Sequence, residues 1–321
     1  MMRLVALVPG GIGDQILFFP TLDDLKRCYP QCEINVVAEP RAKGAYRVSK
    51  SVSEVIAYDF KSRNSLADWA NLLGIIRDSE YDVVLSLGQR WSVGFLLWLT
   101  GIPTRVGYSG SAGYGFLTNS VSLNTNQYAA FMYHDLLQGL GINKPCPELS
   151  LNVPKQDLDW AENQQKLLGI RDTGYVLIHG GSSQLAKEKG IDKIYPVENW
   201  QKIIQDFQNR QPDLPVVVVK GPEDQEFVTQ LVQNCPGLKI ISPSDIGKLA
   251  ATIAGANLML CTDSAPMHLS VAVQTYTVAL FGPTDPAKLL PQNEKFISIK
   301  SPTGKMADIS PELVLKKVWS E

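Results

Sequence analysis

Short runs of β-branched and aliphatic residues alternate with longer amphipathic segments along most of this chain. Five such runs predict strands in the first half, at Leu4–Val8, Ile34–Ala38, Glu54–Tyr58, Val83–Ser86 and Arg105–Tyr108. Five more predict strands in the second half, at Tyr175–His179, Val216–Lys220, Lys239–Ile241, Leu258–Cys261 and Thr277–Phe281. Strands that alternate with helices in this way are typical of parallel βαβ architecture.

Helical patterns fill the segments between these strands. After the first strand, an apolar stripe predicts a helix over about Asp14–Arg27, although Pro20 indicates a kink or a break. In the second half, Trp200 begins a stripe at positions i, i+3, i+4 and i+7 in a helix that Pro196 opens. A last helix is predicted over Pro311–Trp319. The pattern therefore predicts an α/β protein made of two Rossmann-like halves in tandem.

Composition and charge narrow the classes of function. With 321 residues, 45% of them hydrophobic, and a net charge of −2, we expect a globular protein of two domains that does not attract nucleic acid by charge. The apolar stretch Phe95–Leu99 is too short to cross a membrane. The five cysteines show no metal-ligand spacing, so we expect no metal site and a cytoplasmic location. A small basic cluster follows the second strand, at Arg41, Lys43, Arg47 and Lys50, and could meet a phosphorylated acceptor or a membrane surface.

The first candidate site is the glycine loop after the first strand. Gly11 and Gly13 would let backbone N–H groups approach a ligand, but Ile16 stands where a dinucleotide-binding loop has its third glycine. Glu39, at the end of the second strand, could serve as the ribose acid of such a site. Asp14 would repel a pyrophosphate, and it could instead accept a proton from a hydroxyl group. From the loop alone, two roles for Asp14 are about equally supported: a charge that complements the helix N-terminus, and catalysis.

Two further segments in the second half carry polar residues at strand ends. His179 begins a segment with two glycines, Ser182 and Ser183, which indicates either a phosphate cradle or a solvated loop. Asp263 follows a buried strand, Ser264 lies near the next helix N-terminus and His268 falls on the first turns of that helix. Helix N-termini at strand ends bind anions, so this last segment is the most specific candidate.

Together these segments resemble glycosyltransferase family 9, the ADP-heptose:lipopolysaccharide heptosyltransferase family. The resemblance covers nearly the whole chain, and it rests on Gly10–Gln15, Lys193–Glu198, Gly221–Glu223, Asp263–His268 and Phe281–Pro286. It implies a GT-B fold, in which two Rossmann-like domains face each other across a cleft. The acceptor domain would span 1–153, the donor domain 154–305, and a last helix within 306–321 would pack back on the first domain.

The resemblance also implies roles for particular residues. Asp14 would be the general base of an inverting, metal-independent transfer, and Lys193 would meet the donor phosphates. Donor binding would involve Gly11, Gly13, Ser182, Ser183, Glu226, Asp263, Ser264, Ala265 and His268. The family usually has glycine at the position of Ala265. The donor would be a nucleotide sugar, with ADP-linked heptose the expected form, and no other cofactor is implied.

The expected partner is a lipopolysaccharide-type glycan or glycolipid acceptor, which would place the enzyme in the cytoplasm or at the inner face of the membrane. Two alternatives stay open from the sequence. One is a nucleotide-sugar-binding protein that has lost transfer. The other is an NAD(P)-dependent oxidoreductase that uses the first loop with Glu39.

Overall fold

A computed structural model of the chain describes residues 1–61, 65–110, 113–181, 190–191 and 193–320. Contacts between Cα atoms divide it into two compact units, Met1–Asn152 and Val153–Glu321. The division falls one residue before the expected boundary between the two domains. Each unit contains one parallel sheet of six strands.

The first unit is built on a sheet with the strand order β3-β2-β1-β4-β5-β6. Its strands are β1 (Arg3–Val8), β2 (Glu33–Ala38), β3 (Glu54–Ala57), β4 (Val83–Ser86), β5 (Thr104–Tyr108) and β6 (Asn119–Val121). Its α-helices are α1 (Ile12–Cys28), α2 (Leu66–Asp78), α3 (Trp91–Leu99) and α4 (Ala129–His134). Short 3-10 helices lie at Pro40–Val48, Tyr114–Phe116 and Asp135–Leu140.

The second unit repeats the same design with the strand order β12-β11-β10-β7-β8-β9. Its strands are β7 (Val176–His179), β8 (Val216–Val219), β9 (Lys239–Ile241), β10 (Leu258–Thr262), β11 (Thr277–Phe281) and β12 (Phe296–Lys300). Its α-helices are α5 (Lys155–Leu167), α6 (Val197–Arg210), α7 (Gln225–Asn234), α8 (Ile246–Ala254), α9 (Ala265–Ala272), α10 (Pro286–Leu289) and α11 (Pro311–Trp319).

The central strands are mostly apolar because helices cover both faces of a parallel sheet. Every residue of β4, β7, β8, β10 and β11 is buried. The ten strands expected from the sequence are all present, and the α/β fold class is confirmed. No helix in the described part of the chain is long and apolar enough to cross a membrane.

Helix α1 runs through Pro20, so of the expected kink or break at this residue the break does not occur. Proline removes one backbone hydrogen bond and therefore disfavours a helix interior. Here Phe18, Phe19 and Leu22, which surround Pro20, are all buried. The apolar surface that these side chains remove from water offsets the missing hydrogen bond.

The last helix, which the resemblance placed against the first unit, buries its apolar face in the second unit. Val314 of α11 is fully buried in the core of the second unit. The ring of Trp319 lies 4.9 Å from that of Phe207 on α6, and its indole N–H donates to Asp206 at 2.8 Å. The apolar face of α11 thus completes the second core, and this burial fixes its position.

This packing predicts a specific loss of stability. Replacing Val314 by alanine would leave a cavity in the second core and lower the free energy of unfolding by about 2 kcal/mol. Leu313→Ala is the matched control, since Leu313 lies on the same helix with 39% of its side-chain surface exposed. Chemical denaturation measures both variants, and equal losses would contradict the assignment of α11 to the second core.

Candidate active site

In both units the strand order reverses at the first strand, because successive strands are added first on one side of it and then on the other. β1 lies between β2 and β4, and β7 lies between β8 and β10. In open parallel sheets, ligands bind outside the carboxyl ends of the strands at such a reversal point. The loops that follow β1, β7 and β10 are therefore the places where the candidate residues should be found.

Asp14 lies in the first turn of α1, directly after the loop that follows β1. Its Oδ2 atom accepts a hydrogen bond from the backbone N–H of Gly11 at 2.7 Å. The turn depends on Gly10, which has a φ of +130°. A Cβ atom at Gly10 would lie 2.3 Å from Asp14 Oδ2, so only glycine leaves room for the carboxylate.

The other oxygen of Asp14 has a partner from a distant part of the chain. The hydroxyl group of Tyr133, on α4, donates to Asp14 Oδ1 at 3.1 Å. Burial, followed by the charge of Asp14, raises the pKa of Tyr133 well above its ordinary value. Tyr133 therefore stays protonated and is a permanent donor to the carboxylate. Both oxygens are fixed in place, and each keeps a second lone pair for a proton.

The rest of the first loop gives little support to dinucleotide binding. The N–H of Gly11, which a pyrophosphate would need at this helix end, is already bonded to Asp14. Gly13 lies in the first turn of α1. Glu39 follows β2 as expected, but only 3% of its surface is exposed, and burial followed by the charge of Asp59 raises its pKa. The geometry favours an acid–base role for this loop.

In the second unit, Lys193 and Asp263 form a partly buried ion pair. Lys193 Nζ lies 2.6 Å from Asp263 Oδ2, and the hydroxyl of Thr284 donates to the same oxygen at 2.8 Å. Lys300 holds the turn that contains Thr284, because its ammonium group donates to the carbonyls of Gly282 and Thr284. Side chains at the carboxyl ends of β10 and β11 thus hold the ammonium group of Lys193 at this end of the sheet.

Ser264 connects this pair to the end of β7. It precedes α9, but its hydroxyl contacts His179 Nδ1 at 3.3 Å and the carbonyl of Thr262 at 3.2 Å instead of capping the helix. His179 Nε2 in turn lies 3.3 Å from Asp224 Oδ2. The carboxyl ends of β7 and β10 are therefore joined by a chain of polar side chains.

The N-terminus of α9 carries the remaining residues of this segment. Ala265 is its first residue, and His268 lies in its first turns with 5% of its surface exposed. The dipole and N–H groups of such a helix end favour an anionic ligand. Asp263, Ser264, Ala265 and His268 are thus brought to the same rim as Lys193.

An open pocket lies beside this rim, between α6 and α7. It is lined by Gly180, Gly181, Ile194, Val197, Glu223, Asp224, Glu226, Phe227 and Gln230. Glu226, the expected ribose ligand, is on its wall. Asp224 accepts the N–H of Gly221 at 2.8 Å and faces His179, so this carboxylate is already used within the protein.

Ser182 and Ser183, the other expected phosphate ligands, lie outside the described residues. Among the residues that are described, no group of three or more His, Cys, Asp or Glu side chains is arranged to hold a metal ion.

The structure also brings in side chains that the sequence did not single out. Tyr133 is 119 residues from Asp14 and has no local pattern that marks it. Asp224 joins the second site through its contact with His179, a residue that the sequence had already marked. Thr284 belongs to the segment Phe281–Pro286, which carries part of the family resemblance, but its contact with Asp263 has no signal in the sequence.

Two parallel six-stranded sheets with polar strand ends match the GT-B fold of solved heptosyltransferase structures. The sequence profile described as glycosyltransferase family 9 (heptosyltransferase) matches residues 69–318. The chain belongs to this family, and it is therefore a glycosyltransferase. A solved family 9 structure from Veillonella parvula has a TM-score of 0.84 at 23% identity, covering 99% of this chain and 96% of that one.

The other relatives include both heptosyltransferases and a protein with a different kind of name. Lipopolysaccharide heptosyltransferase 3 of Escherichia coli is 25% identical over 89% of this chain and 84% of its own length. A photosynthetic NDH subunit of subcomplex B from Arabidopsis thaliana is also 25% identical, over 96% of this chain and 71% of its own. An E. coli heptosyltransferase solved with ADP-2-deoxy-2-fluoro heptose has a TM-score of 0.75 at 18% identity, over 99% of both chains.

The ion pair at Lys193 can be tested without any ligand. Replacing Lys193 by methionine leaves the carboxylate of Asp263, which is 4% exposed, without its cation, and we expect the free energy of unfolding to fall by about 3 kcal/mol. The double variant Lys193→Met/Asp263→Asn should recover most of this loss, because it removes both charges. Lys288→Met, at an exposed site, is the control. A double variant no more stable than Lys193→Met would disprove the pairing.

Proposed function

We propose that this protein transfers a heptose from an ADP-linked donor to a lipopolysaccharide-type glycan, with inversion and without a metal ion. The observation that carries the proposal is the geometry of Asp14. Its carboxylate is held by a backbone N–H and a buried tyrosine hydroxyl at the carboxyl end of β1, where it can take a proton. The second unit supplies the site for the donor.

The polar groups of the second unit suit a nucleoside diphosphate. The ammonium of Lys193 and the N-terminus of α9 can share the negative charge of the phosphates. Asp263 keeps Lys193 in position through the contact at 2.6 Å. The pocket between α6 and α7 offers the side chains of Val197 and Phe227 for a base, and Glu226 can accept hydrogen bonds from a ribose.

The transfer then proceeds as a single displacement. An acceptor hydroxyl attacks the anomeric carbon of the donor sugar and gives its proton to Asp14. The new carbon–oxygen bond forms as the bond from the anomeric carbon to the diphosphate breaks, and the electron pair leaves with the diphosphate. Attack opposite the leaving group inverts the anomeric centre, while Lys193 stabilises the charge that develops on the diphosphate.

The relatives support the identity of the two substrates. Lipopolysaccharide heptosyltransferases of E. coli align with most of this chain, and a related enzyme was solved with an ADP-heptose analogue. We therefore infer a heptose donor with an adenine nucleotide, a lipid-linked glycan acceptor, and action at the cytoplasmic side of a membrane. No cofactor beyond the nucleotide-sugar co-substrate takes part in this scheme.

A second candidate function follows from the plant relative. The Arabidopsis protein is named as a subunit of a photosynthetic NDH complex, and it matches this chain as well as the heptosyltransferases do by identity. The fold could thus serve a binding protein that has lost transfer. Such a protein would bind a nucleotide sugar or a partner protein and turn over no donor.

Ligand binding and turnover separate these possibilities. Thermal shift with ADP, UDP and NAD should give the largest stabilisation with ADP, because binding to the folded state raises its stability. ADP-heptose incubated with a lipid-linked acceptor should then release ADP in the presence of a chelator. Binding of ADP without release would favour the second candidate, and stabilisation by NAD alone would overturn the proposed function.

The role of Asp14 predicts a kinetic result. Asp14→Asn keeps the hydrogen-bond acceptor for Gly11 but cannot take a proton, so we expect transfer to slow by roughly 10²–10⁴-fold with unchanged ADP affinity. Asp68→Asn is a matched control, since Asp68 occupies the same position of α2 and accepts the N–H of Ser65 at 3.3 Å. Transfer at the wild-type rate in Asp14→Asn would remove Asp14 from the mechanism.

The contact from Tyr133 predicts a smaller effect of the same kind. Tyr133→Phe removes the donor to Asp14 Oδ1, so we expect kcat to fall by about tenfold while KM for the donor stays constant. Tyr128→Phe is the control, because Tyr128 is also a buried tyrosine beside α4 and its hydroxyl has no hydrogen-bond partner among the described residues. Equal kcat values for the two variants would show that Tyr133 does not position the base.

A further inference from the structure

The first unit exposes a group of aromatic side chains that its core and its candidate site do not use. We call it the aromatic face, and it consists of Trp91, Phe95, Trp98 and Leu99 on α3 together with Tyr114 and Phe116. Trp91, Trp98 and Tyr114 are 59%, 53% and 53% exposed. Large apolar side chains grouped on a surface in this way usually mark a binding site.

Helix α3 is apolar on both sides, and only one side is buried. Leu96 and Leu97 are 4% and 1% exposed and belong to a hydrophobic core of the first unit. Trp91, Phe95 and Trp98 follow one another at i, i+4 and i+7 and share the outer side. Because the core accounts only for the inner side, the outer aromatic residues need another explanation.

The packing of the aromatic face is well defined. The rings of Phe95 and Trp98 stack at 5.9 Å, and Phe116 meets Phe95 at 5.6 Å. Two glycines make this contact between segments possible. A Cβ atom at Gly94 would lie 2.5 Å from the carbonyl oxygen of Gly113, so the backbones can meet only without side chains. The aromatic rings are thus held on a fixed support.

Charge around this segment favours an anionic partner surface. The stretch from Val83 to His134 contains no aspartate or glutamate, although it contains two arginines. Arg90 is exposed and immediately precedes Trp91. Arg105 holds Phe116 by donating to its carbonyl at 2.9 Å. A segment that carries arginine and no acidic residue is attracted to anionic lipids.

The aromatic face also lies near the candidate base. Helix α3 begins just after β4, and β4 pairs with β1, the strand that leads to Asp14. The N–H of Leu87 still bonds to the carbonyl of Leu7 at 3.2 Å, so the two strands end side by side. Trp91, the first residue of the aromatic face, therefore lies at the same carboxyl-terminal end of the sheet as Asp14.

We propose that the aromatic face docks the protein on the surface of an anionic phospholipid bilayer. Tryptophan and tyrosine rings settle at the boundary between headgroups and acyl chains, and arginine beside them pairs with lipid phosphates. A protein docked in this way presents the strand ends that carry Asp14 to an acceptor held in the same membrane. That last consequence rests on the proposed function, whereas docking itself does not.

Vesicle binding tests the proposal independently of transfer. The full-length protein is mixed with vesicles of phosphatidylcholine alone or with added phosphatidylglycerol, and the bound fraction is measured by flotation. We expect binding to the phosphatidylglycerol vesicles. The double variant Trp91→Ala/Trp98→Ala should lower the partition coefficient by roughly tenfold or more, because two large apolar side chains no longer enter the interface. Arg90→Gln should lower it about fivefold at low salt.

Two controls separate docking from misfolding and from other surfaces. Leu167→Ala removes an apolar side chain that is 79% exposed on α5 of the second unit, and it should bind vesicles like the wild type. Trp91→Phe/Trp98→Phe should retain most of the binding if ring burial is the cause. Transfer to a water-soluble acceptor fragment should be unchanged in Trp91→Ala/Trp98→Ala.

Three results would overturn the proposal. The first is absence of binding by the wild type to any of the vesicles. The second is undiminished binding by Trp91→Ala/Trp98→Ala, which would point to another surface such as the basic cluster at Arg41–Lys50. The third is a wild-type protein that sediments as a dimer, a Trp91→Ala/Trp98→Ala variant that sediments as a monomer, and no vesicle binding by either protein. Absence of transfer by a wild-type protein that binds vesicles would instead count against the proposed function alone.

Discussion

The hydrogen bond from the Gly11 N–H to Asp14 determines how the first unit can be used. A helix N-terminus after the first strand of a Rossmann-like sheet ordinarily offers its N–H groups to a phosphate. Here the carboxylate of Asp14 takes that place at 2.7 Å, and Gly10 leaves the space for it. A negative charge at this point disfavours a second anion, so this end of β1 suits proton transfer from a neutral hydroxyl.

The second unit has the same topology, but there a lysine accompanies the carboxylate at the strand ends. Its first strand, β7, ends in His179, and the neighbouring β10 leads to Asp263, whose charge Lys193 balances. The chain of contacts through Ser264, His179 and Asp224 ties the strand ends together before any ligand arrives. Donor groups that are fixed in advance cost little reorganisation when charge develops on a leaving group. Two copies of one fold can thus divide binding and proton transfer between them.

The sequence was sufficient for the fold because central parallel strands are continuous apolar runs. It missed β6 and β12, which lie at the edges of their sheets. Edge strands are partly exposed and need no such run. β6 has a single buried residue, Val121, whereas the edge strands β3 and β9 still carry paired β-branched residues. The sequence pattern could not place the last helix, because an amphipathic pattern shows which face is buried but does not show against which core.

The candidate site was predictable to the extent that it is local. Asp14, Asp263 and His268 follow strands within a few residues, so the pattern alone puts them at a sheet edge. Tyr133 is different, since its contact with Asp14 depends on how α4 packs against α1. The aromatic face is visible in the sequence only as an apolar stretch too short to cross a membrane. Its meaning depends on which side of α3 the core leaves uncovered.

Hydrogen exchange in the presence and absence of ADP tests most directly the claim that phosphates bind in the second unit and not at the first loop. The account predicts that ADP slows amide exchange at Gly180–Gly181 and in the segment Asp263–His268, because the ligand covers these N–H groups. Protection confined to Gly10–Asp14, with none at Asp263–His268, would contradict it. Such a result would return the first loop to the role of a nucleotide site.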